Sequence, residues 1–463
     1  MERMGREPTI AVWGHYHGGN LGDELVVATI IDAIRRRIPG ARVVGISMAP
    51  SDTRKRHGID AYRINPGTPT VDTEAGGARS PMPRWRTRSA QGRLRAIVRR
   101  VAGVRRLRKR VAHIRRAVRE LPFLWSSYKM LRRVDLVVVA GSGQLLDEWE
   151  GAWLHPYTTF RWAMLARLAR VPMIFPSVGA GPIDGKLSAF FIRRAVASAG
   201  YISVRDHHSG RVLSSIGLPG PFPFCPDIGY GLSDDVLRDA ATAAAGRSDG
   251  TIVGLNVMSH QDPRYWPRGD VRRYEVFLRK MVEFTRWLLD NGYTVRVFSS
   301  QPRADGRVAE DLDGLLGEDR RLDHARLHSV IEDIGQVEDL VRVIAGCDIV
   351  VAGRYHSALL PLLLDIPALG LAYNAKTTEL FVAVGHPERC LDIDRFSVQS
   401  LVAAFRGLCR QEEPEARDAR NARVAGHRAA VELQFERIFA GSNALDRPTR
   451  NAWWASCRQT TRP

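Results

Sequence analysis

The stretch that most constrains this 463-residue chain is residues 348–376, DIVVAGRYHSALLPLLLDIPALGLAYNAK. A short apolar run (Ile349, Val350, Val351) meets a glycine, and Arg354 and His356 stand directly behind it. An apolar helix follows, then a proline-led second run over 368–373, with Lys376 just past its end. Strand, helix, strand at that spacing is a βαβ unit, and parallel sheets take their ligands at the carboxyl ends of their strands. Arg354, His356 and Lys376 all fall at such ends. Proline is tolerated in a helix mainly within its first turn. Pro361 therefore predicts a helix starting near residues 355–357, with Arg354-Tyr355-His356 at an N-terminus whose free N–H groups and dipole favour an anion.

The same unit recurs along the chain. Residues 9–13 read as a strand, followed by GHYHGGNLGDE and an amphipathic helix over 24–37. Residues 41–47 read as the next strand, and 50–83, rich in Gly, Pro and Thr, as a loop. Buried strands then end in GSGQLLDEW (from Gly141) and GAGP (from Gly179), and 201–204 runs into Arg205-Asp206-His207-His208-Ser209. The second half repeats the logic with strands at 251–257, 293–299 and 326–329 and helices at 274–291 and 338–347. The expected fold class is α/β, two Rossmann-like αβα domains facing a cleft, over 1–233 and 234–395. Helices over 396–440 and an unstructured tail over 441–463 complete the chain.

The net charge of +18 suggests nucleic acid until it is located. Residues 79–119 carry fifteen arginines, one lysine and no acid, so +16 of the charge lies in 41 residues. Apolar residues at 94, 97, 101, 104, 107, 111, 114, 118 and 121 predict a basic amphipathic helical insertion within 79–121, about 40 Å of helix at 1.5 Å per residue. Such a helix suits an anionic membrane surface; the plainer alternative is a helix lying across its own domain with solvated arginines. RNA or DNA binding is disfavoured, because no aromatics interleave the basic residues. The five cysteines are scattered without a C-x-x-C pair, which argues against a disulfide framework or zinc and fits a reducing compartment. No signal peptide is visible, and the longest apolar run, 357–372, is broken by Asp365 and two prolines. The expected location is cytoplasmic, with peripheral contact at the inner face of the membrane if 79–121 meets lipid.

No nucleophile triad, H-E-x-x-H or Walker loop appears, and the His15/His17 and His207/His208 pairs lack a set of metal partners. No metal and no cofactor are expected. Glycines 18, 19 and 22 let the backbone approach a ligand beside Asn20 and Asp23. Asp23 reads either as a helix-start acid, stabilising by about 1 kcal/mol, or as a base or orienter for a hydroxyl. What accumulates is cations at strand ends: Arg205, Arg354 and Lys376, the last one of only 6 lysines among 68 basic residues. One such residue is usually a surface ion pair worth about 0–1 kcal/mol. Three beside a histidine favour a polyanionic substrate, held by charge-assisted bonds of about 1.5–3 kcal/mol each.

Six motifs occur in order: Gly14 to Glu24 (GHYHGGNLGDE), Gly141 to Asp147 (GSGQLLD), Gly179 to Pro182 (GAGP), Ser203 to Ser209 (SVRDHHS), Pro226-Asp227, and Gly353 to Lys376 (GRYHSA…PALGLAYNAK). This set resembles the polysaccharide pyruvyl transferase family over residues 9–47 and 134–395, with GSG where three glycines are expected and 79–121 as an unmatched insertion. The resemblance implies a fold similar to the glycosyltransferase B type and transfer of pyruvate from phosphoenolpyruvate to a sugar, usually as a cyclic ketal. It implies a phosphate- and carboxylate-binding clamp of Arg205, Arg354 and Lys376, with Gly19, Asn20 and Tyr355 as further substrate contacts. His356 is the implied general acid at the methylene carbon, and Asp23 the base or orienter. The acceptor would be a cell-surface polysaccharide or glycolipid precursor, lipid-linked or free. Two alternatives stay open: a nucleotide-sugar glycosyltransferase of the same architecture, and a non-catalytic envelope-associated binding protein.

Overall fold

The computed structural model describes residues 7–66 and 120–439, apart from 17–18, 142, 149–150, 246–249, 267, 318, 320 and 411–412. The basic insertion up to residue 119, His17 and the 441–463 tail lie outside the described residues. Strands β1 Thr9–Trp13, β2 Arg42–Ser47, β3 Asp60–Arg63, β4 Leu136–Val139, β5 Met173–Val178 and β6 Tyr201–Val204 form one sheet, ordered β3-β2-β1-β4-β5-β6. Strands β7 Ile252–Asn256, β8 Thr294–Phe298, β9 Leu327–Ser329, β10 Ile349–Ala352, β11 Ala368–Ala372 and β12 Cys390–Asp392 form a second, ordered β12-β11-β10-β7-β8-β9. All pairings are parallel. Both sheets thus share one strand order, which reverses direction between β1 and β4 and between β7 and β10. Those two switch points open the crevices where doubly wound sheets bind ligands.

Helices cover both faces, so the central strands are continuous apolar runs and not alternating ones: LVVV in β4 and IVVA in β10 are wholly buried. In the first half the helices are α1 Leu21–Arg37, α2 Pro50–His57, α3 over 120–131, α4 His155–Ala169, α5 Lys186–Ala197 and α6 His207–Ser215. After α7 Asp234–Ala244, the second half adds α8 Val271–Asp290, α9 Pro302–Gly317, α10 Val337–Ala345, α11 Tyr355–Leu363 and α12 Ala375–Ala383. The chain closes with α13 Val398–Cys409 and α14 Pro414–Phe439.

Two local expectations change. The 50–83 loop instead begins with α2 and β3. Helix α11 does start at Tyr355, but Pro361 sits inside it and not in its first turn; the missing N–H leaves a carbonyl one turn back without its helical donor. The helices expected over 396–440 are α13 and α14, with Pro414 opening the second.

Helix α14 returns across both halves. Near its start Arg417 and Arg420 bind Asp365 in the loop before β11. Near its end Gln434, buried, accepts from the Tyr201 (3.0 Å) and Ser203 (2.5 Å) hydroxyls and donates to Ser177 Oγ (2.9 Å). Glu432 pairs with Arg36 and Arg37 at the end of α1.

Candidate functional site

The strand ends at the two switch points converge on one cleft of about 940 Å³, counting its open mouth. From the first half come His15 after β1, Gly143 and Gln144 after β4, Arg205 after β6, and Asn20 and Asp23 at the start of α1. From the second come Ser300 after β8, Arg354, Tyr355 and His356 after β10, and Lys376 after β11. The halves touch here. Leu21 N–H donates to the Ser300 carbonyl (2.8 Å), and the Arg205 guanidinium lies 5.2 Å over the Tyr355 ring. A Cβ built on Gly143 would stand 3.3 Å from Lys376 Nζ, and one on Gly22 only 2.2 Å from His356 Nδ1. The glycine of the NLGDE motif is therefore the floor on which His356 rests.

Two of the three cations are already partnered. Arg354 Nε and Nη2 donate to Asp305 at 3.0 and 2.5 Å, and Nη2 also to Ser259 Oγ at 3.3 Å. Asp305, fully buried, further accepts from Ser259 N–H and the Ser299 hydroxyl. Burial works against the Arg354 charge, but Asp305 outweighs it and keeps the guanidinium firmly protonated. Arg205 Nη1 donates to Asp227 at 2.6 Å, with Asp206 at 3.4 Å from Nε. Burial would raise the Asp227 carboxyl, yet Arg205 and then His356 hold it well below the usual carboxylate range. Asp227 Oδ1 stands 3.5 Å from His356 Nε2, so it orients both a cation and the histidine. Each guanidinium keeps unspent donors among the described residues, Nη1 of Arg354 and Nε and Nη2 of Arg205.

Lys376 differs. Half-buried, it makes no hydrogen bond or ion pair among the described residues, and burial together with the Arg205 charge lowers its pKa to about 8. An anion would raise that pKa again and take up the donors left on the arginines. In the same lining, the His15 and His155 rings lie 3.9 Å apart between centroids, tilted by 47°. Burial drives both toward the neutral form, His15 well below its ordinary value and His155 to about 4. Among the described residues no group of three or more His, Cys, Asp or Glu side chains could hold a metal ion, and no helix is long and apolar enough to cross a membrane.

The structure thus brings Asn20, Asp23, Arg205, Arg354, Tyr355, His356 and Lys376 to one cleft. Gly19, buried before the helix, does not line it. Asn20 caps α1, accepting from Gly22 N–H (3.1 Å) and donating to Asp23 Oδ2 (2.7 Å), so Asp23 also serves as a helix-start acid. Sequence reasoning did not select Asp305, Asp227, His15, Gln144 or His155 for the site. Asp227 stands in the Pro226-Asp227 motif and His15 two residues after β1, so position could have flagged both; nothing local marks Asp305 as the partner of Arg354.

Two facing Rossmann-like domains with the ligand cleft between them define the glycosyltransferase B type of fold. Solved structures share it: the UDP-GlcNAc 2-epimerase of Methanocaldococcus jannaschii (TM-score 0.54, 11% identity, 93% of this chain and 100% of that one) and that of Neisseria meningitidis bound to UDP-GlcNAc (0.54, 12%, 93% and 99%). A putative UDP-N-acetylglucosamine 2-epimerase of Listeria monocytogenes is equally similar (0.54, 12%, 95% and 96%). At such identities the likeness is one of fold. The family model for polysaccharide pyruvyl transferase matches residues 20–375, and the chain belongs to that family of transferases.

Proposed function

We propose that the protein transfers pyruvate from phosphoenolpyruvate to a sugar of a cell-surface polysaccharide or glycolipid precursor, as a ketal, with release of phosphate. The observation that carries this is the grouping of Lys376, Arg205 and Arg354 around His356 and Asp227 at facing strand ends. Phosphoenolpyruvate brings a phosphate and a carboxylate, matching one unpaired ammonium and two guanidiniums with spare donors. His356 gives a proton to the methylene carbon, which makes C2 electrophilic. An acceptor hydroxyl attacks C2 from the α1 side, where Asp23 stands as base or orienter. The C2–O–phosphate bond then breaks against the cationic clamp, and a second hydroxyl closes the ketal. Two hydroxyl protons are lost, one replaced on the new methyl group and one leaving on phosphate.

The test is titration calorimetry with phosphoenolpyruvate, followed by phosphate detection with a panel of methyl hexopyranosides as acceptors. Binding with acceptor-dependent phosphate release is expected. Release of a nucleoside diphosphate from UDP-GlcNAc, with none of phosphate from phosphoenolpyruvate, would favour a nucleotide-sugar donor instead. His356→Ala should lower kcat at least about tenfold with the fold intact, since positioned acid–base groups contribute about 10²–10⁴.

A further inference from the structure

We infer that His15, held by Gln144 as the Nδ1–H tautomer, is the general base that takes the proton from the attacking acceptor hydroxyl, through Nε2. The inference deepens the pyruvyl-transfer reading above and rests on it. The tautomer follows from hydrogen bonding. The His15 backbone N–H donates to a Gln144 side-chain atom at 3.1 Å. A backbone N–H can only donate, so that atom is the carbonyl oxygen. The same oxygen lies 2.9 Å from His15 Nδ1, so Nδ1 must donate as well. In a neutral ring the lone pair is then on Nε2.

Among the described residues Nε2, buried, has no hydrogen-bond partner, and His15 lines the cleft. A buried acceptor without a donor is rare in folded proteins, and a ligand hydroxyl would supply that donor. The groups packed against the ring disfavour the imidazolium: Trp13 of β1 meets it edge-on, and the tilted ring of His155 of α4 lies against it. Arg161, also of α4, adds repulsion, so the ring stays an available base at neutral pH. Gln144 also ties this base to the donor end of the site, because the neighbouring Gly143 packs against Lys376. Asp23, already accepting from Asn20, is left to orient the acceptor. In the step the acceptor O–H bond breaks, its proton passes to Nε2, and the oxygen pair forms the bond to C2. That proton is then returned to the departing phosphate.

Two measurements test this. In 15N-histidine-labelled full-length protein, long-range 1H–15N spectra should show His15 as the Nδ1–H tautomer, neutral at pH 7 and titrating below the ordinary histidine value. An Nε2–H tautomer, or titration at the ordinary histidine value near 6.5, overturns the assignment. In turnover with phosphoenolpyruvate and methyl hexopyranosides, His15→Gln should lose about 100-fold or more in kcat, with phosphoenolpyruvate affinity within twofold of wild type. His15→Ala should regain activity with added imidazole. Gln144→Leu, which leaves the imidazole in place but frees its tautomer, should lose at least about tenfold, a wrong tautomer being costly in a histidine base. Turnover of His15→Gln within threefold of wild type overturns the proposal. Wild-type protein that binds no phosphoenolpyruvate overturns the donor reading itself, and this assignment with it, whatever tautomer the spectra show.

Discussion

Gly22→Ala tests the placement of His356 without touching the histidine. The added Cβ would lie 2.2 Å from Nδ1 and 2.9 Å from Cγ, against an ordinary contact of 3.4 Å or more, so the ring must retreat by about 1.2 Å. Displacing a reacting group by about 1 Å can cost about 10²-fold in rate. The fold should tolerate the change better than the chemistry does. Overpacking costs about 1–3 kcal/mol, while alanine in a helix recovers up to about 1 kcal/mol over glycine. We expect kcat for phosphate release from phosphoenolpyruvate to fall about 100-fold, with the melting temperature within a few degrees of wild type. The decisive comparison is a double-mutant cycle with His356→Ala. If the methyl acts through the histidine, the double variant is no slower than His356→Ala alone. Losses that simply add, or a Gly22→Ala enzyme within threefold of wild type, would refute the reasoning.

The other predictions concern the cations and α14. Arg354→Ala strands the fully buried Asp305, and breaking a buried pair costs about 3–5 kcal/mol; a large fall in melting temperature is expected, and unchanged melting would argue against the pair. The role of Arg354 in binding is better read from Arg354→Met with Asp305→Leu, which removes both charges; calorimetry should show weaker phosphoenolpyruvate binding with stability nearer wild type. Lys376 has a folded pKa of about 8, below its unfolded value of about 10.4. The unfolded state therefore binds more protons between those values, and Lys376 adds stability as pH rises through that window. Anion binding runs the other way: phosphoenolpyruvate affinity should weaken above about pH 8, and Lys376→Met should be weaker throughout and lack that limb. Gln434→Leu removes three hydrogen bonds, two accepted from the Tyr201 and Ser203 hydroxyls and one donated to Ser177 Oγ, at about 0.5–1.5 kcal/mol each; it should lower the melting temperature while phosphoenolpyruvate affinity is kept.

Much of this was legible in the sequence because a parallel sheet writes its ligand edge into the chain. The residue after an apolar run is a strand end, and Arg205 directly follows β6, Arg354 lies two past β10, and Lys376 four past β11. Which acid pairs with which cation was not legible, since Asp305 is 49 residues from Arg354 and Asp227 is 22 from Arg205. Only the packing of α9 and of the turn before α7 brings them in. Elements with little buried surface were equally hidden: α2 buries Thr53 alone and β3 buries Ala61 alone, so neither leaves an apolar period to read. Asp23 shows a different limit, because a helix-start acid and a cleft-lining carboxylate occupy the same position and local spacing cannot separate them.

Helix α14 has a consequence for motion. Its first turns are fastened to Asp365 in one half and its last turns to Glu432 and Gln434 partners in the other. Any opening of the halves must bend this rod or detach one end. Held at both ends, the strap resists separation of the halves from a position outside the cleft.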